Sequence, residues 1–438
     1  MTGAQLFRAT LFHTPANPFR EEEALRSYAD GGLLVRAGRI VASGDFADVR
    51  QADPDAAVID CRGGVLLPGL VDAHVHYPQL PIIGRLGRTL LDWLDQVALP
   101  EEARMAEERY AAECARRFVA ALAAHGTTTA MVFGAHFAGA TAALFEAATE
   151  TGLRVVSGLV LSDRFLPPAL LQSVERAYRD STELIRRFHG RGRLLYAVTP
   201  RFALSTSDAM LDMCQTLLRE HQELRVQSHI NESPDEVRMV AEQFRWGADY
   251  VSVYDRFGLT ASRAVLAHNV HPTDRELDRL AATRTAVAHC PTSNAALGSG
   301  IFPLRRHLKA GVHVALGTDV GGGTGPGILK EGLQAYLMQR VAADGVMLDA
   351  AHLLYLATLA GADALGLAHE IGSFCPGKSA DFVYLRPPAG TALETVLRHA
   401  AAPEDALAAL FTLGGAESVR EVRVEGAIVH ELQSAEGS

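Results

Sequence analysis

Short apolar runs recur along the middle of the chain, and each one ends in polar residues. The runs are "LVDAHVHYP", "TTTAMVFG", "RVVSGLVLSD", "RLLYAVTPRF", "RVQSHINE", "AVLAHNV", "TAVAHCPTSN" and "HVALGTD". Their length and their Val, Thr and Ala content fit strands buried on both faces. Between them stand longer stretches such as "AEERYAAECARRFVAALAAHG", where apolar positions recur at helical spacing. Eight strand-then-helix units predict a (β/α)8 TIM barrel. The two ends of the chain read differently. "AQLFRATLFHT", "GGLLVRAGRIVASGD" and "AVIDCRGGVLLPG" near the start, and "GSFCPGKSADFVYLR" and "VREVRVEGAIVHE" near the finish, are short strands broken by Gly and Asp turns. The expectation is a barrel over 67–372 and a small β-sandwich domain built from both chain ends, 1–66 and 373–438.

In such barrels chemistry sits at the C-terminal ends of the strands. His76, His229, His268, His289 and Asp319 all fall at or near those ends. In "GLVDAHVHYPQ", His74 and His76 are two apart, so they share one strand face, which Asp72 joins. His74, His76, His229 and Asp319, from the first, fifth and eighth strands, offer three imidazoles and a carboxylate, a donor set suited to a catalytic zinc. His268, from the sixth strand, can bind the metal, hydrogen-bond a water, or stand as a satisfied core histidine. Glu232 follows His229 by three in "SHINE". It can swing over the metal and carry a proton, or open a helix beside Asp235 and Glu236. His271 reads as a loop residue beyond its strand, and no role for His136, His271 or His289 follows from the sequence. The fourth strand carries no lysine to bridge two metals; the three lysines are Lys309, Lys330 and Lys378. One metal per chain is expected.

Composition narrows the picture. At 438 residues, 48% of them hydrophobic, the chain exceeds the roughly 250 residues of one ordinary barrel and leaves material for the β unit. The formal net charge is −10 and no basic tract appears, which excludes a phosphate-tracking nucleic-acid binder. The Ala-rich region 118–148 is broken by His125 and His136 and does not read as a membrane span. The N-terminus has no basic stretch followed by a long apolar run, so no signal peptide is expected. Five scattered cysteines without a C-x-x-C point to a reduced, cytoplasmic setting.

"PGLVDAHVHYPQ", "LLDWL", "PRFALSTSD", "QSHINESPDEV", "AHNVH", "HCPTSNAALGSG" and "LGTDVGGGTG", taken together, resemble the guanine deaminase family of the amidohydrolase superfamily. The resemblance runs from about Gly64 to Gly325 and continues more weakly into both ends. "PGLVDAHVH" marks only the superfamily, while "HYPQ", "RFALS" and "SHINE" in that order narrow it. It implies hydrolytic deamination of guanine to xanthine and ammonia, one Zn2+ per chain with Fe2+ as the alternative, and a homodimer. It implies that His74, His76 and His229 are zinc ligands, and that Asp319 is a ligand that also takes a proton from the water. His268 would hold the water or count as a further ligand. Glu232 would shuttle the proton, and Gln79, Arg201 and Phe202 would hold the base. Asn231 and Leu99 depart from the residues commoner in the family. A donor-only guanidinium at Arg201 suits a carbonyl and opposes an amino group; the competing reading is that it pairs with a nearby acid. The rival activity is deamination of another aminated heterocycle, such as 8-oxoguanine, cytosine or a triazine. A non-catalytic relative would have lost a ligand or the glutamate, and all of these positions are filled.

Overall fold

The computed structural model describes residues 3–432. The N-terminal part supplies β1 (Gln5–His13), β2 (Arg26–Arg36), β3 (Arg39–Asp45) and β4 (Ala57–Pro68). The middle supplies β5 (Leu70–His76), β6 (Thr127–Phe133), β7 (Arg154–Gly158), the two-residue β8 (Val160–Leu161) and β9 (Leu194–Pro200). It continues with β10 (Arg225–Ile230), β11 (Ala264–His268), β12 (Ala286–His289) and β13 (Val314–Leu316). The C-terminal part adds β14 (Phe382–Leu385), β15 (Val419–Val424) and β16 (Ala427–Glu431).

The middle strands form the barrel. They run parallel in the order β5-β6-β7-β9-β10-β11-β12-β13, with β8 beside β9. Each of the eight apolar runs contains one barrel strand, and every residue of β5 and β6 is buried, as helices on the outside and side chains on the inside require. The last strand meets the first through two bonds: Asp319 N donates to the carbonyl of His74 (2.9 Å), and Thr318 N donates to the Asp72 carboxylate (3.0 Å). The connecting helices start where side chains can satisfy their first amides. Ser173 caps Val174–Phe188, which buries Leu184, Ile185 and Phe188. Ser233 and Glu236 form a capping box on Pro234–Gln243, the helix expected from "SPDEVRMVAEQF".

Both chain ends meet, as expected, in one β unit. It takes the form of a seven-stranded mixed sheet in the order β16-β15-β14-β4-β1-β2-β3. β14 pairs antiparallel with β4, Phe382 opposite Pro68, so the C-terminal part closes onto the strand that feeds β5. Alternation decides its faces. Leu6 and Leu34 pack on Val49 of the helix Phe46–Ala52. Phe7 and Leu33 face the other way, where the Phe7 and Phe382 rings meet edge to face at 5.0 Å. None of the five cysteines is paired. Among the described residues no helix is long and apolar enough to cross a membrane.

Candidate metal and active site

Four buried side chains converge where the barrel closes. His74 and His76 come from β5, His229 from β10, and Asp319 from the turn after β13; one ligand atom of each lies within 4.8 Å of all the others. Asp319 Oδ1 is 3.2 Å from His74 Nε2 and 3.3 Å from His76 Nε2. His76 Nε2 and His229 Nε2 stand 3.1 Å apart. Two such nitrogens share at most one proton, and His74 Nε2 has no hydrogen-bond partner. The ring of His229 is oriented by a bond between Nδ1 and the carbonyl of Arg201, which turns Nε2 inward. Inward lone pairs, a carboxylate and an orphaned buried nitrogen fit a divalent cation held by three nitrogens and an oxygen.

Burial pushes the imidazoles into the neutral form a metal needs: His76 down to about 3, His74 below its ordinary value, and His229 far below it. Burial acts on Asp319 in the opposite sense, but the close approach of His74 first, and of His268 and His76 next, outweighs it and holds its pKa well below the carboxylate range. Asp72, although on the same face as the two histidines, does not join the group. It accepts from the amide and hydroxyl of Thr318 and from His74 N, so it ties β5 to the end of β13. The approach is close: a Cβ on Gly317 would lie 2.8 Å from the Cβ of His74, so only glycine lets the strands come together here.

Glu232 is buried at the turn after β10. Asn231 takes a left-handed backbone (φ 48°), and Glu236 then accepts from Glu232 N (2.9 Å) and Ser233 N (3.4 Å), so the helix start fixes where Glu232 points. Its Oε2 lies 3.5 Å from His268 Nε2 and its Oε1 3.5 Å from Ser299 Oγ. Burial first, and the Asp319 charge next, raise its pKa well above the carboxylate range. His268 is held by Nδ1 to Asn294 Oδ1 (3.0 Å), with Nε2 3.8 Å from Asp319 Oδ2. His268 and Asp319 both have positive φ, 74° and 47°. Strained backbone of this kind gathers where function over-determines geometry.

Beside the metal group lies a small cavity whose apolar lining is Leu90, Trp93, Leu94, Phe202 and Leu297. Gln79 and Arg201 also line it, with Glu232, His268 and members of the metal group, and both bond to the carboxylate of Glu102.

The chain matches the model of the amidohydrolase family over residues 65–429. The chain belongs to the amidohydrolase family. It is 57% identical over 431 residues to a probable guanine deaminase of Deinococcus radiodurans, covering 97% of this chain and 98% of that one. It is also similar to the solved structure of E. coli guanine deaminase, with a TM-score of 0.93 and 37% identity over 99% of this chain and 100% of the other. The C. acetobutylicum guanine deaminase, solved with guanine bound in its active site, aligns with a TM-score of 0.89 and 26% identity over 98% and 100% of the two chains.

In this amidohydrolase His76, Gln79, Arg201, Phe202, His229, Glu232, His268 and Asp319 line one cavity, and His74 completes the metal group there. His268 stands beside the metal group rather than in it. Arg201 does pair with an acid, through Nη2 to Glu102 Oε1 (2.8 Å) and Nε to Oε2 (3.3 Å), and still lines the cavity. His271 Nε2 donates to the carbonyl of Ser299 at 2.7 Å, in the loop next to Glu232. His289 stacks on Phe302 at 4.3 Å, outside the cavity. Leu99 is buried in the helix Leu99–Ala103 but does not line the cavity, and Asn231 bonds to Asn269 and Glu276. Sequence reading missed Glu102, Asn294 and Ser299. Asn294 and Ser299 lie in the quoted "HCPTSNAALGSG"; Glu102, in "LPEE", carries no local signal of burial.

Proposed function

We propose that this amidohydrolase is a guanine deaminase, converting guanine and water to xanthine and ammonia. The observation that carries the reading is a buried group of three histidines and an aspartate at a cavity that is also lined by a glutamate with a raised pKa and by Gln79 and Arg201. His74, His76, His229 and Asp319 would hold the metal, with zinc favoured by the donor set and Fe2+ as the alternative. When bound, such an ion supplies Lewis acidity and lowers the pKa of water from about 15.7 to about 7.

The protein's own groups account for the rest. Arg201 donates to the O6 carbonyl, Gln79 bonds the ring edge, and Phe202 flanks the flat base. This sets C2 toward Asp319, His268 and Glu232. Asp319 takes a proton from the attacking water, and His268, held by Asn294, orients that water. Glu232 delivers a proton to the ring nitrogen beside C2, which breaks the ring's conjugation as the water oxygen bonds to C2. The proton held by Asp319 passes to the amino nitrogen, the C2–N bond breaks and ammonia leaves, and the C2 hydroxyl gives its proton back to Glu232 as the carbonyl forms. A homodimer, implied by the sequence resemblance, and a cytoplasmic setting, expected from the scattered unpaired cysteines, belong to this reading.

The test is ammonia release from a panel of guanine, adenine, 8-oxoguanine, cytosine and a triazine. A site built on a buried hydrogen-bonding group rejects mismatched analogues by up to about 10⁴-fold. Guanine is expected to lead by a wide margin. Comparable or faster turnover of another member would transfer the assignment to that heterocycle.

A further inference from the structure

Glu102 is 4% exposed and sits on Leu99–Ala103, a short helix that carries none of the metal-binding residues. Its Oε1 accepts from Arg201 Nη2 at 2.8 Å and from Gln79 Nε2 at 2.7 Å. Its Oε2 accepts from Arg201 Nε at 3.3 Å and stands 3.5 Å from Nδ1 of the buried His136. Burial pushes this carboxyl up, but Arg201 first and His136 next outweigh it and bring it to about 2. The group is therefore an anion, able to accept hydrogen bonds and not to donate them.

Two consequences follow for the groups it touches. An amide can face a neighbour with either end, but only the NH2 end of Gln79 can bond to an anion. Gln79 Oε1 is left buried with no partner among the described residues. The side-on pair with Arg201 uses Nε and Nη2 and leaves Nη1 without a protein acceptor among the described residues. Gln79 and Arg201 both line the cavity.

We propose that Glu102 is a positioning residue that sets the hydrogen-bond polarity of the pair that reads the base, holding Gln79 as an acceptor and fixing beside it Arg201, which is always a donor. An acceptor beside a donor matches a lactam edge, a ring N–H next to a carbonyl, as in the N1–H and O6 of guanine. The inference rests on the guanine deaminase reading for its substrate and on the Glu102 contacts for its mechanism. If Glu102 served only to neutralise a buried arginine, every ligand of the cavity would feel its loss alike.

The experiment uses the metal-loaded enzyme and two competitive ligands. Hypoxanthine keeps the N1–H and O6 of guanine without its amino group, and purine lacks both. In Glu102→Gln the amide can turn either end to Gln79 and carries no charge for Arg201. The expected result is that hypoxanthine binding weakens about tenfold or more, the loss of roughly one well-placed hydrogen bond. Guanine KM should rise with it, purine affinity should stay within about twofold of wild type, and metal content should be unchanged. Equal losses for hypoxanthine and purine, or no loss for hypoxanthine, would overturn the proposal. If Glu102→Gln fails to fold, Glu102→Asp keeps the charge on a shorter arm and is read on the same ratio. A hypoxanthine-to-purine ratio below the parent's supports the proposal, and an unchanged one overturns it. Failure of the wild-type enzyme to release ammonia from guanine would count against the function reading instead, because the two affinities are measurable without turnover.

Discussion

Replacing Glu232 by glutamine removes one transferable proton and almost nothing else. The amide has the shape of the acid, so no cavity opens at this buried site. Among the described residues Glu232 makes no ion pair with a lysine or arginine whose charge would be stranded; His268 Nε2 and Ser299 Oγ each lie 3.5 Å from its carboxylate. Burial already favours its protonated, uncharged form, so a neutral amide restores no lost solvation and costs no stabilising charge. Stability should change by no more than about 1 kcal/mol. The rate should not survive. General acid–base catalysis contributes about 10²- to 10⁴-fold, which at about 1.4 kcal/mol per decade is roughly 3 to 5.5 kcal/mol on the barrier. The upper part of that range is expected, because Asp319, the other carboxylate at the metal group, starts ionised and gains a proton only from the attacking water. The assay is initial-rate ammonia release at saturating guanine, with metal content and thermal unfolding measured on the same preparation. A variant that keeps its metal and its fold and still turns over within tenfold of the parent would show that Glu232 does not carry the proton.

Removal of the metal by a chelator should abolish turnover, and added zinc should restore it at about one ion per chain; a stoichiometry near two, or activity in fully chelated enzyme, would refute the single-site geometry, and His74→Ala should lose metal and activity together. Gly317→Ala places a methyl 2.8 Å from the Cβ of His74. It should weaken zinc retention about tenfold or more, as displaced ligand support does, and unchanged competition against a chelator would refute that. His13 is buried and lowered from 6.5 to about 4 by burial first and by Arg26 and Lys378 next. The unfolded chain binds this proton more readily, so the contribution is fully present above pH 6.5 and is lost as pH falls toward 4, a difference of about 3 kcal/mol. His13→Gln should therefore flatten the fall in stability between pH 7 and 4 measured by urea unfolding, and an unaltered slope would exclude His13 as its source.

How much of this was legible before the fold was known depends on how local the cause is. A strand's two-residue period places His74 and His76 on one face without any knowledge of the partner strands. The repeated strand-then-helix pattern implies a barrel, and a barrel brings the C-terminal ends of all its strands to one rim. That is why His229 and Asp319, 155 and 245 residues beyond His74, could be joined to it from sequence. Glu232 was legible as a turn residue with two readings, and packing separated them: the helix cap belongs to Ser233 and Glu236, which leaves the Glu232 side chain buried beside His268. Asp72 was placed on the correct face, yet its task is to hold Thr318, because the first and last strands meet there and the amide of Thr318 needs an acceptor. Glu102 had no signature at all. It precedes Arg201 by 99 residues on an irregular helical segment outside the strand-helix repeat, and its sequence neighbours do not distinguish it from a surface acid. Periodicity says which face a side chain takes; what that side chain finds there is set by the long-range packing that brings the segment after β5 against the end of β9, where a buried arginine requires an anion.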